Sequence, residues 1–168
     1  MNPLDTLQAF YFFEDAFTIE ELEKHFDFYE PFTVHESSLS PCVHSIQASK
    51  LGRMNQAYEF YLQTSRLDLD DYNQEVHEGL HITSMAGTWM SIVEGFGGMR
   101  IKNNLLHFTP QIPKQWKSYS FKVNFRGKIL KVIVDHTETS FEVSGEDFIQ
   151  IIVNNQLMNV KPNILMTV

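Results

Sequence analysis

The hydrophobic pattern changes its period near residue 100, and this change constrains the fold more than any other feature of the chain. Before it, segments such as 54-MNQAYEFYLQTSRL-67 place apolar residues at helical spacing. After it, segments such as 121-FKVNF-125 alternate apolar and polar residues, as half-buried strands do. The sequence therefore predicts an α+β fold in which a helical part, residues 1–100, precedes a β part, residues 101–168.

Capping residues set the boundaries of the first predicted helices. The segment 18-TIEE-21 is typical of a capping box, in which Thr18 caps the helix and Glu21 reaches back to its first residues. Further along, Ser40 is the expected N-cap of a helix that has Pro41 in its first turn, where the missing N–H costs nothing. Gly52 is a natural residue to end that helix.

The later helical segments are less regular. The helix predicted over 54–67 is expected to bury one face, which consists of Ala57, Tyr58, Tyr61, Leu62 and Ser65. An acidic loop, 68-DLDDYNQEVHEG-79, follows, and Arg66 and Asp68 are expected to form an internal ion pair. Residues 81–98 predict a buried apolar helix that is interrupted near its end by Gly95, Gly97 and Gly98, which allow close backbone passage.

Turn residues organise the β part into hairpins. The dipeptide 126-RG-127 separates a strand over 121–125 from a second over 129–134. A third strand is expected over 141–143. Asn154 and Asn155 tolerate positive φ and are expected to join strands over 148–153 and 156–160. These segments predict an antiparallel sheet or a small sandwich.

Composition excludes several classes of function. The chain has 168 residues, 13 of them basic and 21 acidic, which gives a formal charge of −8. No basic cluster is present to attract nucleic acid, and no apolar run is long enough to cross a membrane. The N-terminus lacks the basic region of a signal peptide. Cys42 is the only cysteine, which excludes an internal disulfide. These features predict a cytoplasmic protein.

Four segments together resemble a known family. They are 33-TVHESSLSPCVHSI-46, 66-RLDLDDY-72, 79-GLHITSMAGTW-89 and 95-GFGGMR-100. Their order and spacing are similar to the C-terminal third of glycoside hydrolase family 65, the disaccharide phosphorylases, and most of all to its maltose phosphorylases. The resemblance extends from about Leu7 to about Val134. It implies that the helical part forms the last hairpins of an (α/α)6 barrel and is followed by a small antiparallel β-sandwich domain.

The resemblance also implies a reaction. Family members carry out inverting phosphorolysis, in which phosphate attacks the anomeric carbon directly while an acid protonates the leaving oxygen. With maltose the products are β-glucose 1-phosphate and glucose. Ser37, Ser38 and His81 match the family's phosphate-contacting residues, and phosphate is a co-substrate, so no cofactor is expected. Hydroxyls and backbone N–H groups at helix N-termini suit a dianion, because the helix dipole favours negative charge there.

Each candidate has a plainer interpretation. A pair of serines before a helix is usually a cap. A single histidine such as His81 is more often buried and hydrogen-bonded than bound to a ligand. His35 and His44 are interpreted as packing residues, and Glu36 as a structural carboxylate that does not match the family's general acid. No pair of histidines has the neighbouring Cys or acidic residues of a zinc site, so no metal is expected.

The chain resembles only part of a family member. The general acid and the residues that hold the glucosyl unit belong to the preceding part, so no catalytic residue is assigned here and activity alone is not expected. The missing N-terminal part and a second copy of the chain are expected partners, since Phe10, Phe12, Phe13 and Phe17 would lie at an uncovered edge. A non-enzymatic carbohydrate-binding or structural module, and specificity for trehalose, kojibiose or nigerose, remain alternatives.

Overall fold

The computed structural model describes residues 3–33, 40–71, 74 and 76–168. These residues form two compact units, Met1–Gly95 and Phe96–Val168. The first unit is helical and the second is built from strands, which confirms the α+β class. The division falls after Gly95, whereas the change of sequence period suggested residue 100. Within the described part of the chain no helix is long and apolar enough to span a membrane.

The helical unit contains six α-helices among its described residues. They are α1 (Pro3–Phe12), α2 (Ile19–Tyr29), α3 (Ser40–Lys50), α4 (Met54–Ser65), α5 (Leu67–Asp70) and α6 (Ile82–Met90), and α6 continues into a π-helical segment, Ser91–Phe96. Short 3-10 turns lie at Glu14–Ala16, Glu30–Phe32 and Val76–Glu78. The acidic loop predicted over 68–79 is therefore partly helical.

The structure confirms the predicted capping box and the terminal glycine but not the predicted cap at Ser40. The Thr18 hydroxyl accepts a hydrogen bond from the Glu21 backbone N–H at 3.2 Å, and the Glu21 carboxylate accepts one from the Thr18 N–H at 2.8 Å. Gly52 has a φ of 72° just past the end of α3, where a left-handed residue closes a helix. Pro41 lies near the start of α3 as predicted, but Ser40 is itself within the described helix and is not its cap.

Helix α3 is the centre of the helical unit. Every residue from Ser40 to Ser49 is buried, because α1, α4 and α6 all pack against this helix. His44 lies between the rings of Phe26 and Phe60, with centroids 6.0 and 5.2 Å away. His44 is thus a packing residue, as predicted.

The face of α4 that is buried differs from the predicted one. Of its five members only Ala57 is buried, while Tyr58, Tyr61, Leu62 and Ser65 are half-exposed. The structure buries Phe60 and Thr64 beside Ala57. The Ser45 hydroxyl of α3 donates to the Ala57 carbonyl at 2.9 Å, and Phe60 packs on His44. Contacts with α3 therefore determine which face of α4 is buried. The spacing of apolar residues along α4 does not determine it.

The large apolar side chains of α6 are not buried, although the sequence predicted a buried apolar helix here. Ile82, Met85 and Trp89 are 67%, 47% and 49% exposed, and the buried face consists of small residues, among them Ser84 and Gly87. A Cβ on Gly87 would lie 2.8 Å from a side-chain atom of α3, so only small residues fit where α6 packs on that helix.

The β unit forms two four-stranded sheets that pack as a sandwich. The strands are β1 (Arg100–Lys102), β2 (Leu105–Phe108), β3 (Ser118–Phe125), β4 (Lys128–Asp135), β5 (Thr139–Val143), β6 (Ile149–Val153), β7 (Gln156–Val160) and β8 (Met166–Thr167). The sheet orders are β1-β2-β6-β7 and β3-β4-β5-β8. Phe108 of one sheet meets Phe141 of the other, with ring centroids 5.5 Å apart. The pair β2–β6 is parallel, and the remaining strand pairs are antiparallel.

Positive-φ residues close the hairpins. Arg126 and Gly127 have φ values of 52° and 76°, and Asn154 and Asn155 have values of 48° and 65°. Both predicted turns are confirmed, because two consecutive left-handed residues match the twist of the flanking strands. Asn103 and Asn104, with φ values of 50° and 62°, close the hairpin of β1 and β2 in the same way. The sequence did not predict this hairpin. Gly98 also confirms a predicted close backbone passage, since a Cβ there would lie 2.1 Å from the Thr109 Oγ1.

Candidate phosphate-binding site

His81 lies at the amino end of α6 and is held there by a carboxylate. The Oδ1 atom of Asp68 is 2.6 Å from the His81 Nδ1, and the Oδ2 atom is 3.0 Å from the His81 backbone nitrogen. An ionised carboxylate can only accept, so Nδ1 is the donor. The His81 and Asp68 side chains are 21% and 15% exposed. Both the ring and the backbone at the start of α6 are therefore fixed by one residue.

The predicted partner of Asp68 is wrong. Arg66 pairs with Asp70, which lies four residues further along, through contacts of 2.6 Å from both its Nε and its Nη2. Residues two apart on a helix do not face each other, so Asp68 points away from Arg66. Its carboxylate is left to bind His81, thirteen residues later. The sequence carries no signal for that pairing, because it depends on how α5 and α6 meet.

The pair has a clear electrostatic consequence. Hydrogen bonds from the His81 ring and then from its backbone N–H hold the pKa of Asp68 below its ordinary value. Asp68 is therefore ionised at neutral pH, and its negative charge stabilises a positive charge on the ring. With Nδ1–H directed at Asp68, the Nε2 atom is the one that a ligand would meet.

Helices α3 and α6 run in the same direction. A Cβ on Gly87 would lie 2.8 Å from the Cβ of Cys42, and a Cβ on Gly95 would lie 3.6 Å from the Cα of Ile46. Cys42 precedes Ile46 in α3, and Gly87 of α6 precedes Gly95 of its π-helical continuation, so the contacts advance in the same direction along both segments. The amino ends of α3 and α6 consequently lie at the same end of the unit.

Two helix N-termini thus lie at the same end of the helical unit. His81 immediately precedes α6, and Ser38 precedes the first residue of α3 by two positions in the sequence. Ser37 and Ser38 themselves lie outside the described residues, as do His35 and Glu36. The phosphate contacts of the two serines and the structural role of Glu36 stay predictions.

Other reactive groups near this end do not suggest a different chemistry. Burial raises the pKa of the Cys42 thiol to about 11, so this side chain is protonated at neutral pH and is a poor nucleophile. Among the described residues no group of three or more His, Cys, Asp or Glu side chains is arranged to hold a metal ion. The candidate anion-binding groups at this end are therefore the His81–Asp68 pair and the two helix N-termini.

Comparison with known sequences identifies the family. The profile of the glycosyl hydrolase family 65 central catalytic domain matches residues 3–90, and that of the family 65 C-terminal domain matches residues 99–160. The chain belongs to glycosyl hydrolase family 65. One relative of this family 65 chain is the maltose phosphorylase of Bacillus subtilis (strain 168), which is 54% identical to it over 143 residues. Another is the alpha,alpha-trehalose phosphorylase of Thermoanaerobacter brockii, which is 48% identical over 128 residues.

These matches cover most of the family 65 chain but little of the relatives. The Bacillus match covers 84% of this chain and 19% of the relative, and the Thermoanaerobacter match covers 76% and 16%. A solved structure described as a putative kojibiose phosphorylase from human microbiome superposes with a TM-score of 0.90 at 39% identity. The superposition covers 97% of this chain and 24% of the chain in the solved structure. The chain spans about a fifth of the length of the curated relatives that it matches.

Proposed function

We propose that the chain is the phosphate-binding, C-terminal portion of an inverting family 65 phosphorylase that converts maltose and phosphate to β-glucose 1-phosphate and glucose. The observation that supports this most is the shared direction of α3 and α6, which brings the amino ends of both helices to one end of the unit. One of these ends carries His81, and the other follows the two serines that the family resemblance assigns to phosphate.

In this proposal His81 donates its Nε2–H to a phosphate oxygen while its Nδ1–H donates to Asp68. A positive charge on the ring is less costly to hold beside the fixed Asp68 anion than it would be alone. Without the ring charge, Asp68 would repel the incoming anion. Ser37 and Ser38 supply hydroxyl donors, and the backbone N–H groups that start α3 add a favourable dipole.

Phosphate held in this way acts as the nucleophile. One of its oxygens forms a bond to the anomeric carbon on the face opposite the leaving group, while the glycosidic C–O bond breaks. The leaving oxygen takes a proton from a general acid, which belongs to the part of the enzyme that precedes the matched region. Direct displacement inverts the anomeric configuration. This chain therefore contributes binding and orientation and supplies no proton.

Maltose is the first candidate substrate because the relative that is 54% identical is a maltose phosphorylase. Trehalose and kojibiose stay open as alternatives, since phosphorylases that bear those names match as well. We propose the cytoplasm as the location, because the one cysteine, Cys42, is in keeping with a reducing compartment.

A chimaeric enzyme tests the proposal. The region of Bacillus subtilis maltose phosphorylase that matches this chain is replaced by this chain, and glucose release from maltose is measured with and without phosphate. We expect phosphate-dependent release, with β-glucose 1-phosphate identified by the NMR coupling of its anomeric proton. A well-folded chimaera that releases no glucose, or that releases it equally without phosphate, would contradict the proposal.

A further inference from the structure

The side-chain amide of Gln47, on α3, is buried against α1. Its Nε2 atom donates to the Leu7 carbonyl at 2.5 Å, and the residue is only 9% exposed. The reverse orientation of the amide would place two oxygen acceptors at that short distance, so the NH2 group is the one that faces Leu7. The Oε1 atom consequently points away from this carbonyl.

The Oε1 atom of Gln47 is an acceptor that needs a donor. It is shielded from solvent, and no N–H or O–H group in the described part of the chain lies within hydrogen-bond distance of it. Buried polar atoms in proteins are nearly always paired with another protein group or with ordered water. An unpaired one is costly, because it has lost its hydrogen bonds to the solvent and has gained none in return.

A cavity lies beside Gln47, between α1, α2 and α3. Gln47 forms part of its wall, together with Leu7 and Phe10 of α1, Leu22 of α2 and Ile46 of α3. The space that is open to the centre of a water molecule is about 10 Å³. By this measure a cavity needs about 10–15 Å³ to hold one water molecule. The cavity therefore has room for a single water and for no larger ligand.

Two charged side chains line the same cavity. Glu14 follows α1 and Lys50 ends α3, and the Glu14 Oε2 and Lys50 Nζ atoms lie 3.0 Å apart. Lys50 lies three positions after Gln47, which places both residues on one side of α3. A carboxylate accepts hydrogen bonds from water and an ammonium group donates to it. With Gln47 Oε1, the cavity offers the two to four polar partners that a buried water requires.

We propose that this cavity binds one structural water molecule, which donates to Gln47 Oε1 and completes its hydrogen bonds at the Glu14–Lys50 pair. The water connects α3 to the turn that follows α1, beside the direct bond from Gln47 to Leu7. A neutral molecule suits the site, because the Lys50 ammonium group would repel a cation. The proposal concerns the packing of α1 on α3 and does not depend on the proposed phosphorolysis.

NMR cross-relaxation between water and buried methyl groups tests the proposal in solution. Leu7 and Ile46 are 0% and 1% exposed, so surface water does not reach their methyl groups. We expect both to give NOE and ROE cross peaks at the water frequency, with the opposite signs that a long-lived bound water produces. Leu130, which is 0% exposed in the core of the β unit, is the control and should give no such cross peak.

Two variants on α3 identify the acceptor. Gln47→Met removes the amide and keeps a side chain of similar length, whereas Ser45→Ala removes a buried hydroxyl that bonds to a carbonyl of α4 outside the cavity. We expect the water cross peaks of Ile46 to disappear in Gln47→Met and to persist in Ser45→Ala. Their persistence in Gln47→Met would mean that exchanging protons of Lys50 or Tyr11 produce them, and would overturn the proposal.

A crystal structure of the unaltered 168-residue chain decides the question if Gln47→Met does not fold. Electron density for one water molecule within about 3.2 Å of Gln47 Oε1 supports the proposal. Density that places the Lys50 Nζ atom directly on this oxygen overturns it, and so does a well-ordered cavity that contains no density.

Discussion

Asp68 contacts His81 at two atoms, with one carboxylate oxygen 2.6 Å from the ring Nδ1 and the other 3.0 Å from the backbone nitrogen. A single side chain thus fixes the tautomer of the imidazole and the start of α6 together. Carboxylates orient metal-bound histidines in the same way in other proteins. The contact makes Asp68 a positioning residue for the proposed phosphate contact.

Asp68→Asn should change how stability depends on pH. The pKa of Asp68 is lowered in the folded chain. Its ionised carboxylate therefore makes its full contribution to folding stability above the unfolded carboxyl pKa of about 3.9. That contribution is lost as the pH falls through the lower folded value. Urea unfolding at several pH values should show the wild type more stable than Asp68→Asn at about pH 6, with the difference shrinking toward about pH 3. Glu20→Gln, on the exposed first turn of α2, serves as the control. A difference that grows on acidification would refute this assignment.

Gly98→Ala should destabilise the β unit far more than Gly127→Ala. Both glycines have positive φ, 58° and 76°, so alanine carries a strain of about 1–2 kcal/mol at either position. At Gly98 the new Cβ would also lie 2.7 Å from the Thr109 carbonyl oxygen, whereas nothing lies within 4 Å of Gly127. We expect a loss of about 2–5 kcal/mol for Gly98→Ala and about 1–2 kcal/mol for Gly127→Ala, read from chemical denaturation. Equal losses would show that the contact with Thr109 is unimportant.

The isolated chain should self-associate through α1 and α2. Four phenylalanine side chains are each more than 60% exposed: Phe12, Phe13, Phe28 and Phe32. Leaving apolar surface in water, and not burying it, costs about 25 cal/mol of stabilisation per Å². Light scattering at tens of micromolar should give a mass above that of the monomer, most simply a dimer. The double variant Phe12→Ser/Phe28→Ser should lower that mass, while Leu157→Ser in β7 should not. A clean monomer that binds no hydrophobic dye would rule out this interface.

The 168-residue chain alone should not phosphorolyse maltose. The family resemblance assigns the general acid and the glucosyl-binding residues to the part of the enzyme that precedes the matched region. Coupled glucose assays with phosphate present should therefore stay at the level of the blank. Phosphate-dependent glucose release from the purified chain would mean that a catalytic acid lies within these residues.

Local chemistry made part of the fold predictable. The Thr18–Glu21 capping box, Gly52 at the end of α3 and the Asn154–Asn155 turn each depend on residues within a few positions of one another. The strand β8 and the hairpin of β1 and β2 were missed, because strands of two to four residues show too little alternation to be recognised.

Tertiary contacts decided what the sequence could not. Phe10 and Phe17 were expected at an uncovered edge together with Phe12 and Phe13. Instead, Phe10 stacks on His25 with centroids 4.1 Å apart, and Phe17 packs edge-on against Phe10. In the site, the position of His81 at a helix start follows from the sequence. Its bond to Asp68 does not, because it requires α5 and α6 to be placed side by side.

The most direct test of the account is the kinetic effect of His81→Ala in the chimaera with Bacillus subtilis maltose phosphorylase. Removing a hydrogen bond to a charged group costs about 1.5–3 kcal/mol, which corresponds to roughly a 10- to 150-fold change in affinity. The KM for phosphate should rise by about that factor, while the KM for maltose should stay within about threefold. Equal increases in both constants, or no change in the KM for phosphate, would contradict the assignment of His81 to the phosphate.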